Sequence, residues 1–134
     1  MGRFKNSPKF LGMILDGISE AIVAVADDGL ISFVNRAALK MFGYRKTELL
    51  GKKIEILLPS NLRMKHLQHR QQYMIAPLGR PMGQGLEIIG MRKDGSQFPV
   101  EVGLDCVDIK DETLVIAVVT EISERKALEE AGDK

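Results

Sequence analysis

Residues 92–102 have the sequence RKDGSQFPVEV, and this stretch decides the fold that we expect the chain to adopt. The pair Asp94-Gly95 is typical of a tight turn, because glycine tolerates the positive φ angle that such turns require. Apolar and polar side chains then alternate from Phe98 to Cys106, which is the pattern of a β-strand with one buried face. A second apolar stretch begins at Leu86, before the turn, so the sequence predicts a β-hairpin.

Three further strands are predicted around this hairpin. The turn at residues 110–112 leads into Leu114–Val119, a nearly continuous apolar run that indicates a strand that is central or covered on both faces. Near the start of the chain, residues 21–26 and 30–34 are rich in β-formers and flank an Asp-Asp-Gly turn, which predicts a first hairpin. Two strands, several short helices and three more strands indicate an α+β fold.

Helices are predicted between the two hairpins and at both ends of the chain. Asn35 is a typical helix cap, and Gly43 closes the short helix that follows it. A longer helix is predicted from Ser60 to about Met74. We therefore divide the chain into an N-terminal flanking helix in residues 1–18, a core in residues 19–122, and the start of a C-terminal connecting helix in residues 123–134.

Composition excludes several classes of function. The 134 residues are enough for one domain, and 19 Lys and Arg against 18 Asp and Glu give no excess of charge to attract nucleic acid or an anionic membrane. No apolar run approaches the roughly 20 residues of a membrane span, and no signal peptide is recognised at the start. Cys106 is the only cysteine, which fits a reducing compartment. We expect a cytoplasmic protein.

Several stretches, taken in order, resemble the PAS domain family. They cover roughly residues 10 to 130, and the 92–102 segment is the strongest of them. The others are Ile14–Ala24, Asn35–Ala38, Phe42–Tyr44, Leu49–Lys52 and Thr120–Lys126. The resemblance implies a five-stranded antiparallel sheet, short helices packed on one face, a cavity between the two layers, and flanking helices at both ends.

The resemblance also implies a role in bacterial signalling. Such modules are sensory domains that bind a small ligand or cofactor, form homodimers, and are fused to a histidine kinase, a cyclic-dinucleotide enzyme or a transcriptional regulator. The effector would lie outside this chain, and we identify no catalytic residues within it. The signal would leave through the last helix, for which we single out Glu121, Ser123 and Arg125. A dimerisation domain that binds no ligand is the alternative.

His66 is the candidate that could hold a cofactor. The segment Leu57–Pro59, followed by Arg63 and His66, resembles the haem-binding PAS domains of oxygen-sensing histidine kinases, and imidazole is a common haem ligand. Leu86 falls where those sensors carry a distal arginine. An ordinary histidine that caps, packs or faces solvent is the reading we prefer. The candidate pocket residues are Met64, Tyr73, Leu86 and Ile88.

We expect the protein to purify without a cofactor, with haem at His66 as the alternative and bound flavin after it. A flavin adduct requires a cysteine on the helices after the first hairpin, whereas Cys106 lies on a late strand. We predict no metal apart from haem iron at His66. Arg92 and Glu101 could form a cross-strand ion pair, which would contribute little stability if it is exposed.

Overall fold

The computed structural model describes residues 8–64, 86–109 and 111–132. The predicted strands are present, and so are the predicted helices as far as the described residues reach; the helix predicted from Ser60 to about Met74 lies outside them beyond residue 64. We number the elements in chain order. The elements are α1 (Pro8–Asp16), β1 (Ala21–Val25), β2 (Ile31–Val34), α2 (Arg36–Phe42), α3 (Lys46–Leu49), a 3-10 helix (Ile54–Leu57), α4 (described over residues 60–64), β3 (Leu86–Met91), β4 (Gln97–Ile109), β5 (Glu112–Glu121) and α5 (Ser123–Gly132).

The five strands form one antiparallel sheet in the order β2-β1-β5-β4-β3. The apolar run in β5 is central, as predicted, since β5 pairs with β1 on one side and with β4 on the other. It extends at both ends beyond the predicted residues 114–119, because its partner β4 is 13 residues long. The expected fold class is therefore confirmed.

The hydrophobic core lies between one face of the sheet and the short helices. Alternate residues of the strands point into it, as the period of two in their sequences predicts. Helices α2 and α3 and the 3-10 helix close it from the other side. The buried cluster contains Ala21, Val23, Val25, Ile31, Val34, Ala38, Phe42, Leu49, Leu57, Phe98, Val100, Ala117 and Val119.

Asn35 is completely buried, and all four hydrogen-bonding positions of its side-chain amide are used. Its Oδ1 accepts from the backbone N–H of Ala38 at 3.0 Å and from that of Ile22 at 2.9 Å. Its Nδ2 donates to the carbonyls of Leu15 at 3.0 Å and Glu20 at 2.9 Å. The bond to Ala38 is the predicted helix cap. The other three bonds join α1, the linker after it and β1 to the same side chain.

We expect Asn35→Ala to lower the free energy of unfolding by about 3 kcal/mol, because it leaves buried backbone groups unpaired and creates a cavity. Urea unfolding followed by circular dichroism would measure the loss. Asn61→Ala is the matched control, since Asn61 is exposed and its change should stay within about 0.5 kcal/mol. A loss below about 1 kcal/mol for Asn35→Ala would contradict the central role of this amide.

Candidate functional site

The predicted pocket residues are only partly brought together. Leu86 and Ile88 occupy alternate positions of β3, where their backbones pair with Val102 and Val100 of β4. The half-buried side chain of Ile88 packs against the core. His66 and Tyr73 lie outside the described residues. The assignment of His66 as a haem ligand, and of Met64, Tyr73, Leu86 and Ile88 as pocket lining, therefore stays a prediction.

Met64 is exposed and lines a surface groove of about 350 Å³ between the 3-10 helix and α4. The groove is lined by Lys52, Lys53, Glu55, Ile56, Arg63 and Met64. The Nε of Arg63 donates to the carbonyl of Leu58 at 2.9 Å, which fixes the guanidinium at its edge. Ile88 is not among the described lining residues, so this groove does not unite Met64 with Ile88.

Arg92 connects three parts of the domain at the turn between β3 and β4. Its Nε donates to the carbonyl of Met41, in the last turn of α2, at 3.1 Å. Its guanidinium carbon lies 3.8 Å from the centre of the Phe98 ring, a cation–π contact. Its Nη2 forms an ion pair at 3.0 Å with Oε1 of Glu121, at the end of β5. Arg92 therefore links the helical layer to the point where the chain leaves the sheet.

The predicted ion pair between Arg92 and Glu101 is wrong. Arg92 stacks on Phe98, which belongs to the core face of the sheet, whereas Glu101 occupies the alternate positions of β4 that face outward. The sheet thus separates the two side chains. Arg92 pairs instead with Glu121, and Glu101 pairs with Arg125.

Gly90 allows α2 to lie close to this end of the sheet. A Cβ atom at this position would stand 3.3 Å from Cε1 of Phe42 and 3.4 Å from Cζ of Phe98. Those two rings pack in a tilted arrangement with their centres 5.5 Å apart. The absence of a side chain at Gly90 therefore helps to position the ring on which Arg92 stacks.

The last described helix, α5, which we also call the exit helix because the chain leaves the sheet there, is held to the outer face of the sheet by charged side chains. The Nη2 of Arg125 contacts Glu87 at 3.0 Å and Glu101 at 2.9 Å, and the Nζ of Lys126 contacts Glu87 at 3.0 Å. Leu128, one turn further on, is 67% exposed. Ion pairs rather than apolar packing therefore hold this part of α5.

These contacts favour the charged forms of the groups that make them. The hydrogen bond from Lys126, followed by that from Arg125, lowers the pKa of Glu87 below its ordinary value. In return, the hydrogen bond to Glu87 raises the pKa of Lys126, and the hydrogen bond to Glu101 raises the pKa of Arg125. The three groups stay ionised around neutral pH, so the ion pairs of α5 are intact there.

The three residues singled out for signal exit all belong to this contact region. Glu121 pairs with Arg92, and its Oε2 accepts a hydrogen bond from the Oγ of Ser123 at 2.9 Å. Helix α5 begins with the hydrogen bond from the backbone N–H of Lys126 to the carbonyl of Ile122 at 2.9 Å. Ser123 is thus the first residue of α5, and its hydroxyl orients Glu121. A role in signal exit stays a prediction for all three residues.

Two further observations concern the described ranges alone. None of the helices described there is long and apolar enough to cross a membrane. Over the same ranges, no three His, Cys, Asp or Glu side chains group in a way that could hold a metal ion.

A central β5, helices on one face of the sheet and an anchored terminal helix define a small α+β domain with an antiparallel five-stranded sheet. The sequence profile described as "PAS domain" matches residues 19–124. The chain belongs to the PAS domain family, as the resemblance of its ordered motifs implied.

Comparison with known proteins agrees with this assignment. The chain is 25% identical over 125 residues to the sensor protein FixL of Bradyrhizobium diazoefficiens, covering 93% of this chain and 25% of that protein. It is 28% identical over 108 residues to the oxygen sensor protein DosP of Escherichia coli K12, covering 81% of this chain and 14% of that protein. The chain therefore spans a quarter or less of the length of these relatives. The expected partial similarity to oxygen sensors is confirmed at this low identity.

Solved structures support the same fold. The crystal structure of the PAS domain of an HTR-like protein from Haloarcula marismortui superposes with a TM-score of 0.72 at 22% sequence identity. The match covers 90% of this chain and 96% of that one. At this identity the likeness establishes the fold alone.

Proposed function

We propose that this chain is the sensory and regulatory domain of a bacterial signalling protein, which binds a small ligand between the sheet and the helices and relays the signal through α5. The single observation that carries the proposal is the position of Arg92. One side chain contacts the end of α2 through Met41, the core through Phe98, and the exit of β5 through Glu121.

The relay follows from these three contacts. A ligand that prefers one packing of α2 on the sheet shifts the population toward it, by no more than its difference in affinity for the two packings. A shift of α2 moves the carbonyl of Met41, to which Arg92 is bonded. Because Arg92 also holds Glu121, and Glu121 is bonded to Ser123, the first turn of α5 responds.

The proposal also includes an effector and a cellular location for the domain. The relatives are named as a sensor protein and an oxygen sensor protein, and this chain matches a quarter or less of each. We infer that an effector lies outside this chain, namely a histidine kinase, a cyclic-dinucleotide enzyme or a transcriptional regulator, and that the domain is cytoplasmic and not itself catalytic. Residues 1–18 and 123–134 then serve as its flanking segments.

We expect Arg92→Gln to accelerate hydrogen exchange of the α5 amides by about three- to tenfold, because the first turn of the helix loses its link to α2. This corresponds to roughly 1 kcal/mol of local stability, as expected for a partly exposed ion pair reinforced by a cation–π contact. Exchange measured by mass spectrometry on the whole chain would show it.

Lys93→Gln is the matched control for Arg92→Gln. Lys93 lies in the same turn and pairs with Glu48, far in sequence from the exit helix. The control should therefore leave α5 exchange unchanged. If both variants exchange like the parent chain, the relay through Arg92 is wrong.

Whether the protein purifies with a bound cofactor can be tested directly. We expect native mass spectrometry of the purified protein to give the mass of the chain alone, and its absorption spectrum to lack haem and flavin bands. The alternative is haem held by His66. A haem band that disappears in a His66→Ala variant would replace our expectation with that alternative, and His69→Ala, the other histidine of the same predicted helix, serves as the control.

Dimerisation is a second candidate function, favoured by the surface of α1. Met13 is 65% exposed and Ile14 is 48% exposed, and Ile18 just beyond the helix is 38% exposed. Neighbouring exposed apolar side chains of this size are typical of interaction surfaces. We propose that a second copy of the chain covers them, so that sensing and dimerisation occur in one module.

We expect Met13→Glu to convert a dimer into a monomer, because burying a new carboxylate in the contact is costly. Sedimentation velocity at several concentrations would measure the change. Met64→Glu is the matched control, since Met64 is 66% exposed on a different part of the surface and should leave the dimer intact. A parent chain that is monomeric at all concentrations would rule out this second function.

A further inference from the structure

Two carboxylates face each other across the edge of the sheet. Glu87 of β3 and Glu101 of β4 are direct partners in the antiparallel register and share the outer face. Side chains in such positions have Cβ atoms roughly 5 Å apart, and like charges placed directly opposite each other destabilise strand pairing. Within the described residues β3 pairs with β4 alone, so this repulsion acts on the edge strand of the sheet.

The cations that neutralise this pair come from α5. Arg125 reaches both carboxylates with its Nη2, and Lys126 adds a second contact to Glu87. Glu87 and Glu101 retain 44% and 25% side-chain exposure, and Arg125 retains 48%. The four charges are therefore accessible to solvent and to ions. They form a cluster that includes three elements of the fold, β3, β4 and α5.

We propose that the docking of α5 and the pairing of edge strand β3 are coupled through this charge cluster, so that releasing either element loosens the other. When α5 is docked, its cations bridge the two carboxylates. When α5 leaves, Glu87 and Glu101 face each other without a cation, and β3 pairs less tightly with β4. Linkage makes the effect reciprocal, so loosening of β3 also weakens the docking of α5.

The contacts on either side of the charge cluster do not neutralise Glu87 and Glu101. Ile122 is buried, and its backbone N–H donates to the carbonyl of Pro99 at 3.1 Å, which fixes the start of the helix to the sheet. One turn beyond the cluster, Leu128 is largely exposed and does not anchor the helix. Since exposed charges are screened at high ionic strength, salt should weaken the coupling as well.

The coupling rests on the proposed function and adds a second route to it. Strand β3 begins at Leu86, directly after the segment that contains the candidate residues His66 and Tyr73. A change that starts in that segment would reach α5 through β3 and the charge cluster. This route does not use Arg92 or α2.

The coupling is tested by hydrogen exchange of β3 and α5 in the same samples. In the double variant Arg125→Gln, Lys126→Gln we expect the α5 amides to exchange at least threefold faster, and the β3 amides to accelerate with them. Raising the salt from 50 to 500 mM in the parent chain should accelerate the α5 amides but not the β3 amides, because salt screens the repulsion between the two carboxylates as well as the ion pairs. Lys40→Gln, which removes an exposed cation on α2 outside the cluster, is the control and should change neither element.

A third substitution separates coupling from simple loss of ion pairs. Adding Glu101→Gln to the double variant removes the repulsion between the two carboxylates. Because this variant already lacks the cations of Arg125 and Lys126, no further ion pair to α5 is lost. We expect β3 to regain most of its protection while α5 stays loose. If β3 exchange is unchanged in the double variant, or if Glu101→Gln fails to restore it, the coupling is wrong.

The outcome is distinguishable from failure of the proposed relay. Arg92→Gln acts on α5 without touching the charge cluster, so a loosened α5 in that variant upholds the relay whatever happens to β3 in the double variant. If the double variant shows the coupling but Arg92→Gln has no effect on α5, the relay through Arg92 is wrong and the coupling through the charge cluster stands.

Discussion

The buried amide of Asn35 is the constraint on which the rest of the structure depends. An amide has two donor positions and acceptor capacity on one oxygen, and here the donors bond Leu15 and Glu20 while the oxygen bonds Ile22 and Ala38. A buried network is stable only when every member is paired, and this one is. The amide thereby fixes the start of α2 against β1 and against the end of α1.

The other end of α2 is fixed by the turn between β3 and β4. Arg92 bonds the carbonyl of Met41, and the backbone N–H of Lys93 donates to the carbonyl of Phe42 at 2.9 Å. Helix α2 is thus attached at its start through Asn35 and at its end through this turn. A helix held at both ends transmits a displacement to both of its attachments, and one of these leads to Glu121 at the exit of the sheet.

The two ends of the domain are held by different kinds of interaction. At Asn35 the bonds are buried, where low polarity strengthens them and water cannot compete. At α5 the contacts are ion pairs between partly exposed groups, which contribute little stability and are screened by salt. The proposed relay uses this difference, because an element that responds to a signal must be one of low local stability.

Local pattern by itself determined the strands, the two hairpins, the cap at Asn35 and the membership of the family, because turn residues and side-chain periodicity act over short distances. The register that places Glu87 opposite Glu101 also follows from the turn at 92–95, because the length of the turn fixes the pairing of a hairpin. Tertiary structure alone decided which charges meet. Arg92 and Glu121 are 29 residues apart, and their pairing depends on which side of the sheet each occupies and where α5 leaves it. Long side chains reach many partners, so only the assembled faces select one.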